Sequence, residues 1–183
     1  MPRRLVSVLL GLGVALAIVV AAVYVGGREN FETIGQGGVN RQLLPKVGQP
    51  APDFLAWDLA GQPVTLADYR GQPIWLNFWG SWCPPCRAEM PDIQAAYQQL
   101  APKGLTLLAI SVDESALDAA AFAALNNATF TILSDPNRLG TGASYPIFNF
   151  PTHLFIDRDG MVRSIVLANM DVETAIAQGE AVL

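Results

Sequence analysis

The 183-residue chain holds only two cysteines and one histidine. Two cysteines cannot build the disulfide framework of a small secreted domain, and they fall short of the four ligands of a structural zinc. A single histidine excludes a multi-histidine metal site. Basic residues are scarce, 11 against 16 acidic ones, for a formal net charge of −5. Removing residues 1–25 takes away two arginines and no acid, which leaves the remainder at −7. An acidic surface repels a phosphate backbone, so no nucleic-acid partner is expected. No internal repeat is visible, and charge is absent altogether from one stretch, residues 5–25.

That uncharged stretch is almost entirely Leu, Val, Ile, Ala and Gly. As a helix its 21 residues would run about 31 Å, against a hydrocarbon core of about 30 Å. Arg3 and Arg4 precede it, while Arg28 on the far side is offset by Glu29. The bias of positive charge places residues 1–4 in the cytoplasm and everything after Gly26 outside. A cleaved signal peptide is the competing reading, but the run is long for one and no Ala-x-Ala site ends it. No cysteine follows the run, which excludes a lipoprotein. Residues 26–46 are polar and glycine-rich without periodicity and read as a tether; residues 47–183 read as one folded domain.

Both cysteines fall within Trp79-Gly80-Ser81-Trp82-Cys83-Pro84-Pro85-Cys86. An apolar, aromatic strand-type run over 74–79 precedes them, and a helical pattern over 87–100 follows, with Met90, Ile93, Tyr97 and Leu100 on one face. Pro91 is expected to kink that helix. A Cys-x-x-Cys at a strand-to-helix junction is the redox form of the motif. Elsewhere the pattern predicts a hairpin over 54–66, a helical turn over 66–71, and strands over 105–112, 130–133, 152–156 and 161–166. Helices are predicted over 115–125, capped by Ser115, and over 172–182, capped by Asp171, with a turn and short helix over 135–143. Alternating β and α elements closed by a hairpin and helix predict an α/β three-layer sandwich.

This ordered set resembles the thioredoxin superfamily, and within it the membrane-anchored TlpA/ResA-like branch. The resemblance covers residues 46–183. It is carried by 47–54 (Val-Gly-Gln-Pro-Ala-Pro-Asp-Phe), by Leu76-Asn77-Phe78-Trp79 leading into the cysteine pair, by Glu89 and Pro91, by Tyr145 and Phe150-Pro151-Thr152, and by Phe155-Ile156-Asp157 with Gly160. It implies a thioredoxin-like fold with an N-terminal β-hairpin extension and an internal α/β insertion around 113–133. It implies Pro151 as a cis-proline facing the cysteines, which would present the backbone of Phe150 to a substrate. It also implies a thiol–disulfide oxidoreductase without bound cofactor that keeps partner cysteines reduced, such as those of apocytochrome c. A membrane donor of the CcdA/DsbD type would return its electrons.

Within that frame Cys83, at the start of the helix, faces unpaired N–H groups and the positive end of the helix dipole, so it is the attacking thiol. Cys86, one turn on, is the resolving one; the bland alternative is two buried structural thiols. With Cys83 as N-cap, Pro84 and Pro85 fill the first two helical positions, and the N–H of Cys86 is the chief donor left for the thiolate. One lost hydrogen bond to a charged group costs about 1.5–3 kcal/mol, or roughly 30–65 mV in a two-electron couple. The pair is therefore expected to be reducing.

Glu89, three residues after Cys86, matches an acidic residue of ResA-like proteins and would exchange a proton as Cys86 changes state; an ordinary surface glutamate is the alternative. Asn77 occupies the place of a buried Asp in many thioredoxins. Trp82, Phe150, Pro151 and Thr152 are expected to meet the substrate, with Trp82 and Trp79 covering the site or Trp79 packing in the core. Two other functions stay open or close here. A copper chaperone would use Cys83, Cys86 and His153 as ligands, though that family spaces its cysteines by three residues; a general reductant for copper-centre assembly is the enzymatic alternative. A peroxidase needs Pro-x-x-x-Thr-x-x-Cys, and Leu76 and Gly80 stand at the Pro and Thr positions.

Overall fold

The computed structural model describes residues 44–183, with Gly13 and Leu16. The expected membrane helix over 5–25, apart from those two positions, and most of the tether lie outside the described residues. Leu44 and Pro45, at the end of the segment read as tether, are buried.

A seven-stranded sheet forms the middle of the molecule, in the order β2-β1-β5-β4-β3-β6-β7. Its strands are β1 (Leu55–Asp58), β2 (Pro63–Thr65), β3 (Ile74–Trp79), β4 (Thr106–Val112), β5 (Thr131–Asp135), β6 (Thr152–Ile156) and β7 (Val162–Val166). The helices are α1 (Pro84–Leu100), α2 (Ala116–Leu125) and α3 (Val172–Glu180). β3 is buried at all six positions, as expected of a central strand whose sequence is apolar on both faces. It pairs in parallel with β4 and antiparallel with β6. The hairpin β1–β2 joins through an antiparallel β1–β5 pair, and α2 with β5 forms the insertion, which continues β4 as a parallel crossover.

The period-2 alternation of strands sends odd and even residues of β3 to opposite sides. Trp75 and Trp79 join Leu107, Ala109, Ile132 and Phe155 in one core with Met90, Ile93, Ala119, Ala123 and Ala175 from the three helices. Phe78 points the other way and meets Tyr145, which meets Phe54. The Tyr145 hydroxyl donates to the carbonyl of Pro52 at 2.5 Å, and burial, with the Asp53 charge second, pushes its phenol well above the ordinary value. Among the described residues, that second face is covered by irregular chain and the 3₁₀ turn Leu66–Tyr69 rather than by α-helices. The expected α/β sandwich is present, and among the described residues no α-helix forms its third layer.

The short helix predicted over 135–143 is absent; turns fill that span. The buried Asp135 carboxylate accepts from the amides of Gly140 and Thr141 and from the Thr141 hydroxyl, which replaces helical bonds with a side-chain staple. Arg138 adopts φ 54°, outside the helical region. Helix α1 runs on through Pro91.

Candidate active site

Strand polarity collects the site at one end of the sheet. β3 and β4 are parallel, so their C-terminal ends, Trp79 and Val112, lie side by side. β6 runs the other way and begins there, with Thr152 opposite Phe78. Loops leaving β3 and β4 and the loop entering β6 therefore converge, as they do at the carboxyl edge of parallel sheets generally.

Cys83 and Cys86 form a disulfide. Cys83 is the N-cap of α1, and its sulfur accepts from the Cys86 amide at 3.3 Å. Pro84 and Pro85 occupy the first two helical positions and offer no N–H. Cys83 keeps 3% of its surface and Cys86 none. Around Cys83, Trp82, Pro84 and Pro85 are exposed, with Trp82 at 46%. The Phe150–Pro151 peptide is cis, and the Phe150 ring meets Trp82 edge-on at 5.3 Å. Thr152 is buried, and its hydroxyl donates to the carbonyl of Asn149 at 2.7 Å. Trp79 is fully buried and stacks toward Phe122 at 5.9 Å, so it belongs to the core and not to the site's surface.

Three consecutive residues at the end of β4, Val112 to Glu114, which sequence reasoning passed over, hold this surface together. The carbonyl of Val112 accepts from the Trp82 indole at 2.9 Å. Asp113, with φ 60°, pairs with Arg138, whose guanidinium donates to the carbonyl of Ile147 at 2.5 Å and lies 5.0 Å over the Phe150 ring. Glu114 accepts from the Ser81 amide at 2.8 Å, from the Ser81 hydroxyl, and from the Ser111 hydroxyl at 2.5 Å. Gly80 is required by the same packing, since a Cβ there would lie 2.3 Å from the Trp82 indole nitrogen. The signal available in sequence was only an Asp-Glu pair at a strand end.

Behind the disulfide the chemistry changes. Glu89 is 1% exposed, which removes the surface-glutamate alternative. Its Oε2 lies 3.3 Å from His153 Nε2 and accepts from the Met170 amide at 3.2 Å. His153 Nδ1 accepts from the Trp75 indole at 3.2 Å. Both ring nitrogens of His153 are thus engaged, so the copper-chaperone ligand set loses its third member. Among the described residues no cluster of three or more His, Cys, Asp or Glu could hold a metal. Asn77 is buried opposite His153 across β3 and β6, and its amide has no hydrogen-bond partner among the described residues.

Residues 47–165 match the AhpC/TSA family. The chain is 39% identical to the thiol-disulfide oxidoreductase ResA of Geobacillus thermodenitrificans over 69% of its own length and 72% of that protein. Among solved structures it is similar to a thiol:disulfide interchange protein DsbE of Chlorobium tepidum, with 32% identity and TM-score 0.66 over 75% of this chain and 96% of that one. It is also similar to a secreted Mycobacterium tuberculosis disulfide oxidoreductase, with 26% identity and TM-score 0.63 over 78% of this chain and 99% of that one. The chain belongs to the AhpC/TSA family and, within it, to the ResA-like thiol–disulfide oxidoreductases; its redox centre is the Cys83–Cys86 disulfide.

Proposed function

We propose that this AhpC/TSA-family oxidoreductase works outside the cytoplasmic membrane as a reductant of partner-protein disulfides, with the haem-binding cysteines of apocytochrome c as its substrate. Residues 5–25 would anchor it, residues 26–46 tether it, and residues 47–183 carry the chemistry. The observation that carries this reading is the asymmetry of the cysteine pair. Cys83 keeps 3% of its surface at the N-cap of α1 among exposed Trp82, Pro84 and Pro85, while Cys86 keeps none.

In the reduced protein the Cys83 thiolate attacks one sulfur of a partner disulfide. The other partner sulfur leaves as a thiolate and takes a proton from solvent. Cys86 gives its proton to the Glu89 carboxylate, attacks the Cys83 sulfur, and expels the second partner thiolate, which is protonated in turn. The partner gains two electrons, the Cys83–Cys86 disulfide forms, and Glu89 returns its proton to solvent. A membrane dithiol donor of the CcdA/DsbD type would restore the thiols by the reverse exchange. Trp82, Phe150, Pro151 and Thr152 would receive the substrate as an extended strand against the Phe150 backbone.

Cys86→Ser tests the proposal. It halts exchange at the mixed disulfide, so the trapped partner can be identified from whole cells. Apocytochrome c on Cys83 is expected; an oxidase copper-centre assembly protein in its place would transfer the activity to that pathway, and no trapped partner at all would overturn the reading.

A further inference from the structure

Trp75, Glu89 and His153 come from β3, α1 and β6 and meet where none has more than 1% of its surface exposed. An indole N–H can only donate. The 3.2 Å contact from Trp75 Nε1 therefore makes His153 Nδ1 an acceptor without a proton. The proton of the neutral ring then sits on Nε2, which donates to Glu89 Oε2 at 3.3 Å. The Met170 amide donates to the same oxygen, while Oε1 has no partner among the described residues. The carboxylate is held by one oxygen and free at the other.

We propose that His153 is a positioning residue for Glu89. Its Nε2–H, oriented by Trp75, clamps Oε2 and leaves Oε1 as the atom that exchanges a proton with Cys86. This rests on the assignment of Glu89 as the proton acceptor of Cys86. The groups around the carboxylate leave few rivals for that role. Cys86 lies one turn earlier on α1, and β6 presents His153. The facing positions of β3 are Trp75, Asn77 and Trp79, none of which titrates in this range. The segment before α3 presents the Met170 amide, and the neighbouring Asp171 is exposed and occupied in capping that helix. A histidine that merely satisfied the Trp75 indole would hold the same tautomer but would not act through Glu89.

Two measurements on the full-length protein test this. The long-range proton–nitrogen correlation spectrum of the single histidine should show the Nε2–H tautomer at neutral pH; the Nδ1–H tautomer overturns the proposal. Insulin reduction is then followed against pH for the wild type, His153→Leu, His153→Gln, Glu89→Gln and the Glu89→Gln/His153→Leu double variant, each checked for folding by its melting transition. Losing a donor to a carboxylate should slow His153→Leu about tenfold at neutral pH and displace its profile to higher pH. His153→Gln, which restores an N–H near Nε2, should recover most of the rate. The double variant should be no slower than Glu89→Gln, because His153 acts through that carboxylate. A His153→Leu profile like the wild type, or an equal loss in both backgrounds, overturns the role of His153 alone. Glu89→Gln indistinguishable from the wild type overturns the Glu89 assignment and this proposal with it. If His153→Leu does not fold, Trp75→Phe replaces it: freeing Nδ1 should change the tautomer and displace the same profile, and failure to do either overturns the proposal.

Discussion

The two sulfurs of the disulfide look onto different surroundings. On the Cys83 side the backbone loops are open to solvent, yet their polar groups are matched: Ser81 and Ser111 bond to Glu114, the Trp82 indole to Val112, and Arg138 to Asp113 and Ile147. On the Cys86 side Asn77, Trp79 and Glu89 are buried, yet polar atoms of all three have no partner among the described residues. A protein minimising its free energy would arrange these the other way, since an unmatched polar group costs most where water is excluded. The outer side is built as a firm apolar surface that a partner can press against. The inner side keeps unmatched polar capacity beside a thiol that must lose and regain a proton.

The comparison breaks first at the sulfurs themselves. In reduced Cys86→Ser the remaining Cys83 should react with iodoacetamide readily, whereas in reduced Cys83→Ser the remaining Cys86 should stay protected until the protein is unfolded. Equal alkylation rates would mean that the two sides do not differ in access. On the outer side, Glu114→Ala removes the acceptor shared by three donors and should cost about 3 kcal/mol, read as a lower urea midpoint at unchanged slope. It should also slow insulin reduction, because the Ser81 turn carries Trp82 and Cys83; full stability and rate would show that the turn holds itself.

The fold and the site were legible in sequence to different depths. The order of strands and helices, the caps at Ser115 and Asp171, and the placement of the cysteine pair at a strand-to-helix junction all follow from patterns a few residues long. The third layer did not, because chain that covers a sheet without forming helix has no periodicity to read. Asp135 shows why: its carboxylate, not the backbone, satisfies the amides five and six residues on. Glu89 could be singled out because it resembles the acidic residue that ResA-like proteins carry near their cysteine pair. Its partners His153 and Met170 could not, since they lie 64 and 81 residues away. Glu114 is 33 residues from Ser81, and Arg138 is 25 from Asp113. Pairings at those separations exist only once the sheet has brought the strand ends together.

Pro85 lies on the boundary between the two sides. Replacing it with Ala restores an amide at the second helical position, where N-cap side chains find a donor. The Cys83 thiolate then gains a hydrogen bond worth about 1.5–3 kcal/mol. The reduced form is stabilised, so the reduction potential should rise by roughly 30–65 mV, measured by equilibration against glutathione. An unchanged potential would mean that the Cys86 amide already saturates the sulfur and that the proline pair does not set the poise.

The smallest effects should have opposite signs on the two sides. Ser81→Ala deletes a matched hydroxyl in the outer turn and should destabilise by about 1 kcal/mol, because Glu114 loses one of its donors. Asn77→Val deletes an unmatched amide in the buried cluster and supplies a β-branched residue to a central strand, so it should stabilise by a similar amount, about 1 kcal/mol. Both are read as shifts of the urea midpoint at constant slope. If Asn77→Val destabilises instead, its amide has a partner in solution, and the contrast between a matched outer side and an unmatched inner one collapses. If it stabilises and also alters the pH profile of insulin reduction, the buried polar capacity is retained at the expense of stability because proton exchange at Cys86 uses it.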